Sequence, residues 1–198
     1  YVPRNGPFQS VGELALVCGV TPQLLWGDGA RPGIAQYLTV HSGERNRDAI
    51  NRVRVNLNRT TWEFLPMQFH PYITPEQANA IITYRESLPG RQFTSVGQLV
   101  QVPGLDRATV VNVIDMATLT SERFLEGRIN INTAPRQVLA LLPGSSEAIA
   151  DAIIQRRSGS RGAFVSIGEL LELSEVDDVS FATIANLVCT RSAVFEVE

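Results

Sequence analysis

One short pattern occurs three times in this chain. Phe8-Gln9-Ser10-Val11-Gly12-Glu13-Leu14 returns as Phe93-Thr94-Ser95-Val96-Gly97-Gln98-Leu99 and again as Phe164-Val165-Ser166-Ile167-Gly168-Glu169-Leu170. Self-similarity of this kind narrows the fold to copies of one small unit stacked on each other. In every copy a Ser precedes Glu or Gln by three residues, the spacing of a capping box. Each Ser is therefore predicted to start a short helix. The Phe two residues earlier is predicted to pack against it.

Two further elements repeat upstream. Ala78-Asn79-Ala80-Ile81-Ile82-Thr83-Tyr84-Arg85 matches Ala150-Asp151-Ala152-Ile153-Ile154-Gln155-Arg156-Arg157, with apolar residues at helical spacing. Thr74, Pro75 and Gln77 supply a cap, an N1 proline and a box for the first of these helices. Arg54-Val55-Asn56-Leu57-Asn58 matches Arg128-Ile129-Asn130-Ile131-Asn132, and its alternation predicts a short extended entry segment. Asn132-Thr133-Ala134-Pro135 is expected to open a helix through Leu142. The matching helix after Asn58 is expected to run through Trp62 and Phe64 to Leu65 and to end at Pro66.

The chain thus divides into half a unit and linker (1–45), a first full tandem (46–125) and a second (126–198). Ala30 to Asn46 reads as linker. Ser87 to Gln92 and Arg157 to Arg161 read as matching loops. Extended pieces are expected near Val53 to Leu57, Phe124 to Ile131 and Val194 to Val197. The fold class is mainly α, with tandem helix-hairpin-helix (SAM-like) units and a few short strands. Helices of about ten residues are unstable alone, so contacts between units must form the core.

Tight turns join consecutive helices at Val17-Cys18-Gly19-Val20, Val102-Pro103-Gly104-Leu105 and Leu142-Pro143-Gly144-Ser145. Gly19, Gly104 and Gly144 provide the positive φ that lets one helix stop and the next begin. Leu173-Ser174-Glu175-Val176 fills the corresponding place without a glycine.

Asn-Thr-Ala before a helix, Leu-Pro-Gly, an Ala-x-x-Ile-Ile-x-x-Arg helix, Phe-x-Ser and Leu-x-x-Val-Pro-Gly together resemble the helix-hairpin-helix tandem of competence-type DNA-uptake proteins. They are also similar to the helical domain of general secretion pathway protein K, a minor pseudopilin of type II secretion. The opening from Arg4 to Leu14, Tyr37-Leu38-Thr39-Val40 and the alternating ending from Ser192 to Glu198 favour the second family. That resemblance implies a non-enzymatic component of a periplasmic pseudopilus tip that serves protein export. It implies other minor pseudopilins and secreted substrates as partners. It also implies attachment to the inner membrane through an N-terminal helix missing from this sequence. The alternative it leaves open is a DNA-binding protein of the uptake type.

Charge bears on that choice. The 198 residues carry a net charge of −3 and no lysine, so every fixed basic charge is an arginine. Nucleic-acid affinity comes from clustered basic residues on phosphates. The hairpins instead place Asp106, Glu147, Glu175, Asp177 and Asp178, or prolines such as Pro22 and Pro75, where a phosphate would dock. A DNA reading needs several of Arg52, Arg54, Arg59, Arg85, Arg91, Arg107, Arg123, Arg128, Arg156, Arg157 and Arg161 on one face. Arginine suits bidentate pairing with carboxylates equally well.

No apolar run reaches the roughly 18 residues that span a bilayer, and no secretory leader is recognisable. The start at Tyr1, without Met, reads as a fragment or processed form. His41 and His70 lack zinc spacing, and no nucleophile or phosphate-loop motif occurs, so neither catalysis nor a cofactor is expected. Glu172, Glu175, Asp177 and Asp178 are weak candidates for Ca²⁺, weighed against an acidic solvated cap. Cys18 and Cys189 read as buried small hydrophobes, with a disulfide left open. Trp26, Trp62, Phe64 and Phe69 read as core packing. The irregular stretch holding Phe69, His70 and Tyr72 is the candidate partner-recognition loop.

Overall fold

The computed structural model describes residues 6–193, and its contacts separate the chain into two compact units, Tyr1–Ser42 and Gly43–Glu198. The extended piece expected at Val194 to Val197 lies outside the described residues. The protein is mainly helical with a few short strands.

The first unit is one helical hairpin with a short tail. A 3₁₀ helix, Val11–Leu16, turns through Gly19 (φ +89°) into α1 (Pro22–Trp26). Thr21 caps α1 by accepting from the Leu24 amide, and Pro22 occupies its first turn. A second 3₁₀ helix, Ile34–Tyr37, follows. Ala30 to Asn46 is therefore not a plain linker. Asp28 accepts from the Ala30 and Arg31 amides, and Gly27 bridges Pro32, which folds this stretch back on α1.

The second unit begins with β1 (Gly43–Arg45) and contains two copies of one design. The first copy runs β2 (Val55–Asn56), α2 (Leu65–Gln68), α3 (Pro75–Ser87), a 3₁₀ helix Val96–Gln101, α4 (Arg107–Val113) and β3 (Ala117–Thr118). After β4 (Phe124–Glu126), the second copy runs β5 (Ile129–Asn130), α5 (Arg136–Ala140), α6 (Glu147–Ser158), a 3₁₀ helix Ile167–Glu172, α7 (Asp178–Ile184) and β6 (Val188–Cys189). In each copy the first strand pairs parallel to the last, with Val55 opposite Ala117 and Ile129 opposite Val188. β1 pairs antiparallel with β4.

Equivalent residues make equivalent bonds. Asn58 accepts from the Phe93 amide at 2.8 Å and donates to its carbonyl at 3.0 Å. Asn132 does the same to Phe164, at 2.8 and 2.9 Å, and also donates to the Thr190 carbonyl. Arg85 donates to the carbonyls of Leu57 and Thr60, and Arg157 to those of Ile131 and Ala134. Each copy thus ties its entry segment to its long helix and to its Phe-x-Ser motif, satisfying backbone groups that no ladder reaches.

The capping boxes form at two of three copies. Ser95 and Ser166 accept from the Gly97 and Gly168 amides, while Gln98 and Glu169 accept from the Ser95 and Ser166 amides. Ser10 makes no side-chain cap; Glu13 accepts from Gln9 instead. Phe93 and Phe164 are buried, and Phe8 is 46% exposed. Tyr84 packs on Phe93 with centroids 6.0 Å apart, and at the equivalent place Arg156 lies 4.5 Å over the Phe164 ring.

The two copies interlock. Helix Val96–Gln101 packs on α7, and Ile167–Glu172 packs on α4. A Cβ on Gly97 would lie 2.7 Å from Ala182 Cα, and one on Gly168 would lie 2.8 Å from Val111 Cα. A bare motif glycine is what lets the two copies approach this closely. One core results, with Leu57, Phe69, Leu99 and Val110 joined to Ile131, Leu139, Leu170 and Phe181.

Two helices differ from the sequence reading. Pro66 does not end a helix; it lies in the first turn of α2, preceded by Phe64 as cap residue. Proline is favoured there because the first-turn amides have no helical partner. α5 stops at Ala140, short of Leu142.

Candidate interaction surfaces

The hairpin corners come first because the DNA reading of the sequence turns on them. Gly104 (φ +87°) and Gly144 (φ +79°) make the turns before α4 and α6. At each corner one amide of the following helix is already taken by the cap side chain. Asp106 accepts from Thr109 at 2.7 Å, Ser146 from Ile149 at 3.2 Å and Asp177 from Ser180 at 2.7 Å. Thr74 and Gln77 close a full capping box on α3. A hydrogen bond from Thr109 holds the Asp106 carboxyl below its ordinary range, and the Ser180 amide does the same for Asp177. Both stay ionised, so a phosphate at α4 or α7 would meet a negative charge already seated on the helix dipole.

Most of the arginines that a DNA reading would need are paired with acids or spent on carbonyls. Arg54 lies nearly buried between Glu44 (2.7 Å) and Asp115 (3.0 Å). Burial opposes its charge, but the bond and charge of Glu44, then those of Asp115, raise its pKa. Arg191 reaches the same Asp115 at 2.7 Å. Arg52 pairs with Asp48, Arg107 with Asp178, Arg156 with Glu169 and Arg161 with Glu172. Arg128 is spent on the carbonyls of Ala185 and Val188, and burial lowers its pKa. Arg91 comes no nearer than 3.9 Å to Glu86. Arg45, Arg59 and Arg123 are exposed with no side-chain partner among the described residues. Arg45 and Arg123 flank an open groove of about 800 Å³ with Asn56, Ser121 and Phe124.

The four acids weighed for Ca²⁺ do not converge. Glu172 pairs with Arg161, Glu175 meets Ser174, Asp177 caps α7 and Asp178 pairs with Arg107. No metal-holding group of His, Cys, Asp and Glu occurs among the described residues. Both cysteines are free thiols. Cys18 is exposed, contrary to its reading as buried, because the hairpin that carries it buries little. Cys189 is buried, which pushes its thiol up to about 11, Glu44 adding to the effect.

The aromatic residues divide. Phe69, read both as core packing and as part of the recognition loop, is fully buried, and Trp26, Trp62 and Phe64, read as core packing, are exposed. Helical register explains it. Leu65 and Phe69 are four apart on one face of α2, which turns inward, while Trp62, Phe64, Met67 and Tyr72 remain outside. Met67 is 72% exposed. His70 is also exposed, just before Pro71 and Tyr72. Around α2 they leave an exposed, largely apolar surface, of which the sequence had assigned Trp62 and Phe64 to the interior and His70 and Tyr72 to the recognition loop. The position of Pro66 was the available signal, since it sets where α2 starts.

Paired helices joined by glycine turns, interlocked two by two, define a tandem helix-hairpin-helix protein. Residues 50–116 match the family model of the helix-hairpin-helix motif. Residues 129–188 match that of type II secretion system protein K, and the two matches fall on the repeats that carried the resemblance in the sequence. No curated protein and no solved structure matches the chain. The protein K match supports a secretion-related role. No helix of the described residues is long and apolar enough to cross a membrane.

Proposed function

We propose that this chain is the helical body of a minor pseudopilin of a type II secretion system. It acts as a structural and docking component in assembly of the pseudopilus tip, without catalysis. The match of residues 129–188 to protein K carries the reading. The corner chemistry supports it, since capped, acid-bearing helix starts suit protein contacts better than polyanions. In the full-length protein the helical body stands in the periplasm, held to the inner membrane by a hydrophobic N-terminal helix. Its partners are other minor pseudopilins and secreted substrates.

The docking face is the apolar surface around α2, with Trp62, Phe64, Met67 and Tyr72. Aromatic residues and Met are enriched at interface cores. Met67→Asp with Trp62→Ala is expected to weaken co-purification with the minor pseudopilins at least tenfold and to reduce export in a complemented deletion strain. The helical circular dichroism spectrum is expected to stay unchanged. Full export by the double variant would remove α2 as the docking face. Full export by a strain lacking the whole protein would remove the secretion role itself.

The match of residues 50–116 to the helix-hairpin-helix motif favours duplex DNA as the second reading. Titration of labelled duplex at low and moderate salt separates the two. Binding that weakens steeply with salt supports DNA; a flat titration supports the protein scaffold.

A further inference from the structure

We propose that the N-terminal hairpin, Val11–Leu16 with α1, is an unpaired half that docks on the same hairpin of a second copy of this chain. The two other copies of the motif show what such a half is built to meet. Gly97 lies against α7, and Gly168 lies against α4. Each turn helix therefore sits on the second helix of the opposite hairpin, and the exchange is reciprocal.

The first copy keeps the same glycine, but nothing among the described residues covers it. A Cβ on Gly12 would meet nothing nearer than Ser10 Oγ at 3.7 Å. Helix Val11–Leu16 buries no residue. Leu16 is 70% exposed, Trp26 61%, and Phe8, Val17 and Leu24 are open as well. Contiguous apolar surface of this kind marks an interaction site.

The occupant follows from the geometry of the siblings. What covers a motif glycine is the second helix of a hairpin. Within residues 43–198, α4 and α7 already hold Gly168 and Gly97. The free counterpart is α1 of another molecule. One hairpin carries both halves of the exchange, the turn helix and the second helix, so two identical hairpins can trade them about a twofold axis and close. Charge permits it. Between Ser10 and Gly27 the only charged residue is Glu13, and Glu13 is occupied by the Gln9 amide. Two copies therefore meet without clustering like charges.

Sedimentation equilibrium of the whole chain tests this. A small hairpin interface belongs to the weak class, with a dissociation constant on the order of 10–100 µM. The apparent mass is expected to climb from 21.7 kDa toward twice that value with concentration. Gly12→Leu fills the open cleft without burying anything in the monomer, and it is expected to weaken association at least tenfold with an unchanged melting curve. Trp26→Ser is expected to act alike. A mass of one chain at every concentration would overturn the proposal. So would a Gly12→Leu variant that associates as tightly as the parent, because the dimer would then form elsewhere. The readout uses purified protein alone, so it stands or falls separately from the export assay.

Discussion

Asn58 and Asn132 show how much a single side chain can organise. Each closes two hydrogen bonds onto the backbone of the Phe that opens the next motif. Removing a partner from a buried backbone group costs more than the bond's net worth, because the group is left dry and unpaired. Asn132→Ala, which also frees the Thr190 carbonyl, is expected to lower unfolding free energy by about 2–3 kcal/mol; a urea transition reads it directly. The motif glycines call for a different argument. Ala at Gly97 would press a methyl to 2.7 Å from the α7 backbone, and overpacking of this kind costs about 1–3 kcal/mol. Gly12→Ala has open space, so its denaturation midpoint is expected not to fall. The sequence showed that Ser, Gly and Leu recur. It could not show why the glycine is there, because the reason lies on a helix of the other copy, far away in the chain. The same holds for Arg85 and Arg157, which the sequence offered for a basic face or for carboxylate pairing and which instead hold carbonyls of the entry segments.

Among the elements, those with local signals were the legible ones. Thr74-Pro75-x-Gln77 places the start of α3 as the structure has it. Ser95 and Ser166 begin their short helices as the capping box predicts, although both helices are of the tighter 3₁₀ kind. The α2 register was misread because Trp62 and Phe64 look like core residues, and only packing decides which side of a four-residue helix turns inward. The paired strands β2–β3 and β5–β6 join segments far apart in sequence, so period-2 alternation hinted at one member of each pair only. The carboxylate caps on α4 and α7 give a pH prediction. Asp106 and Asp177 have folded pKa values held below the ordinary 3.8 by their bonds to Thr109 and Ser180. A depressed carboxyl stabilises the fold above its unfolded value, and that contribution disappears as pH falls through the folded value. Melting temperature is therefore expected to drop on acidification below about pH 4. In the Asp106→Asn, Asp177→Asn double variant, which keeps the caps without the charge, the drop is expected to be smaller.

At the scale of the molecule, the boundary between the units follows from a buried charge cluster. Glu44, at the edge of what the sequence presented as linker, is almost fully buried and forks onto Arg54 at 2.7 and 3.1 Å. Arg54 in turn holds Asp115, which also takes Arg191. Glu44 of β1 and nearby Arg54 therefore close with Asp115 and Arg191 from two distant stretches, and Asn46 adds a backbone bond to Arg123 beside them. Composition hid this, since a polar, glycine-bearing segment looks like linker until its partners are known. The buried apolar cluster of the second unit runs from Leu57 to Val188 in sequence, with Val55 packed against it, and β1 brings Glu44 to that unit. A chain starting at Gly43 is expected to unfold in one calorimetric transition, close to that of residues 43–198 in the whole protein. A chain starting at Ile50 loses Glu44 and leaves Arg54 half-paired in a dry site. Breaking one partner of a buried pair costs about 3–5 kcal/mol, so its transition is expected to fall clearly below that of the longer fragment. Equal transitions for the two fragments would mean that β1 and its glutamate contribute nothing to the second unit.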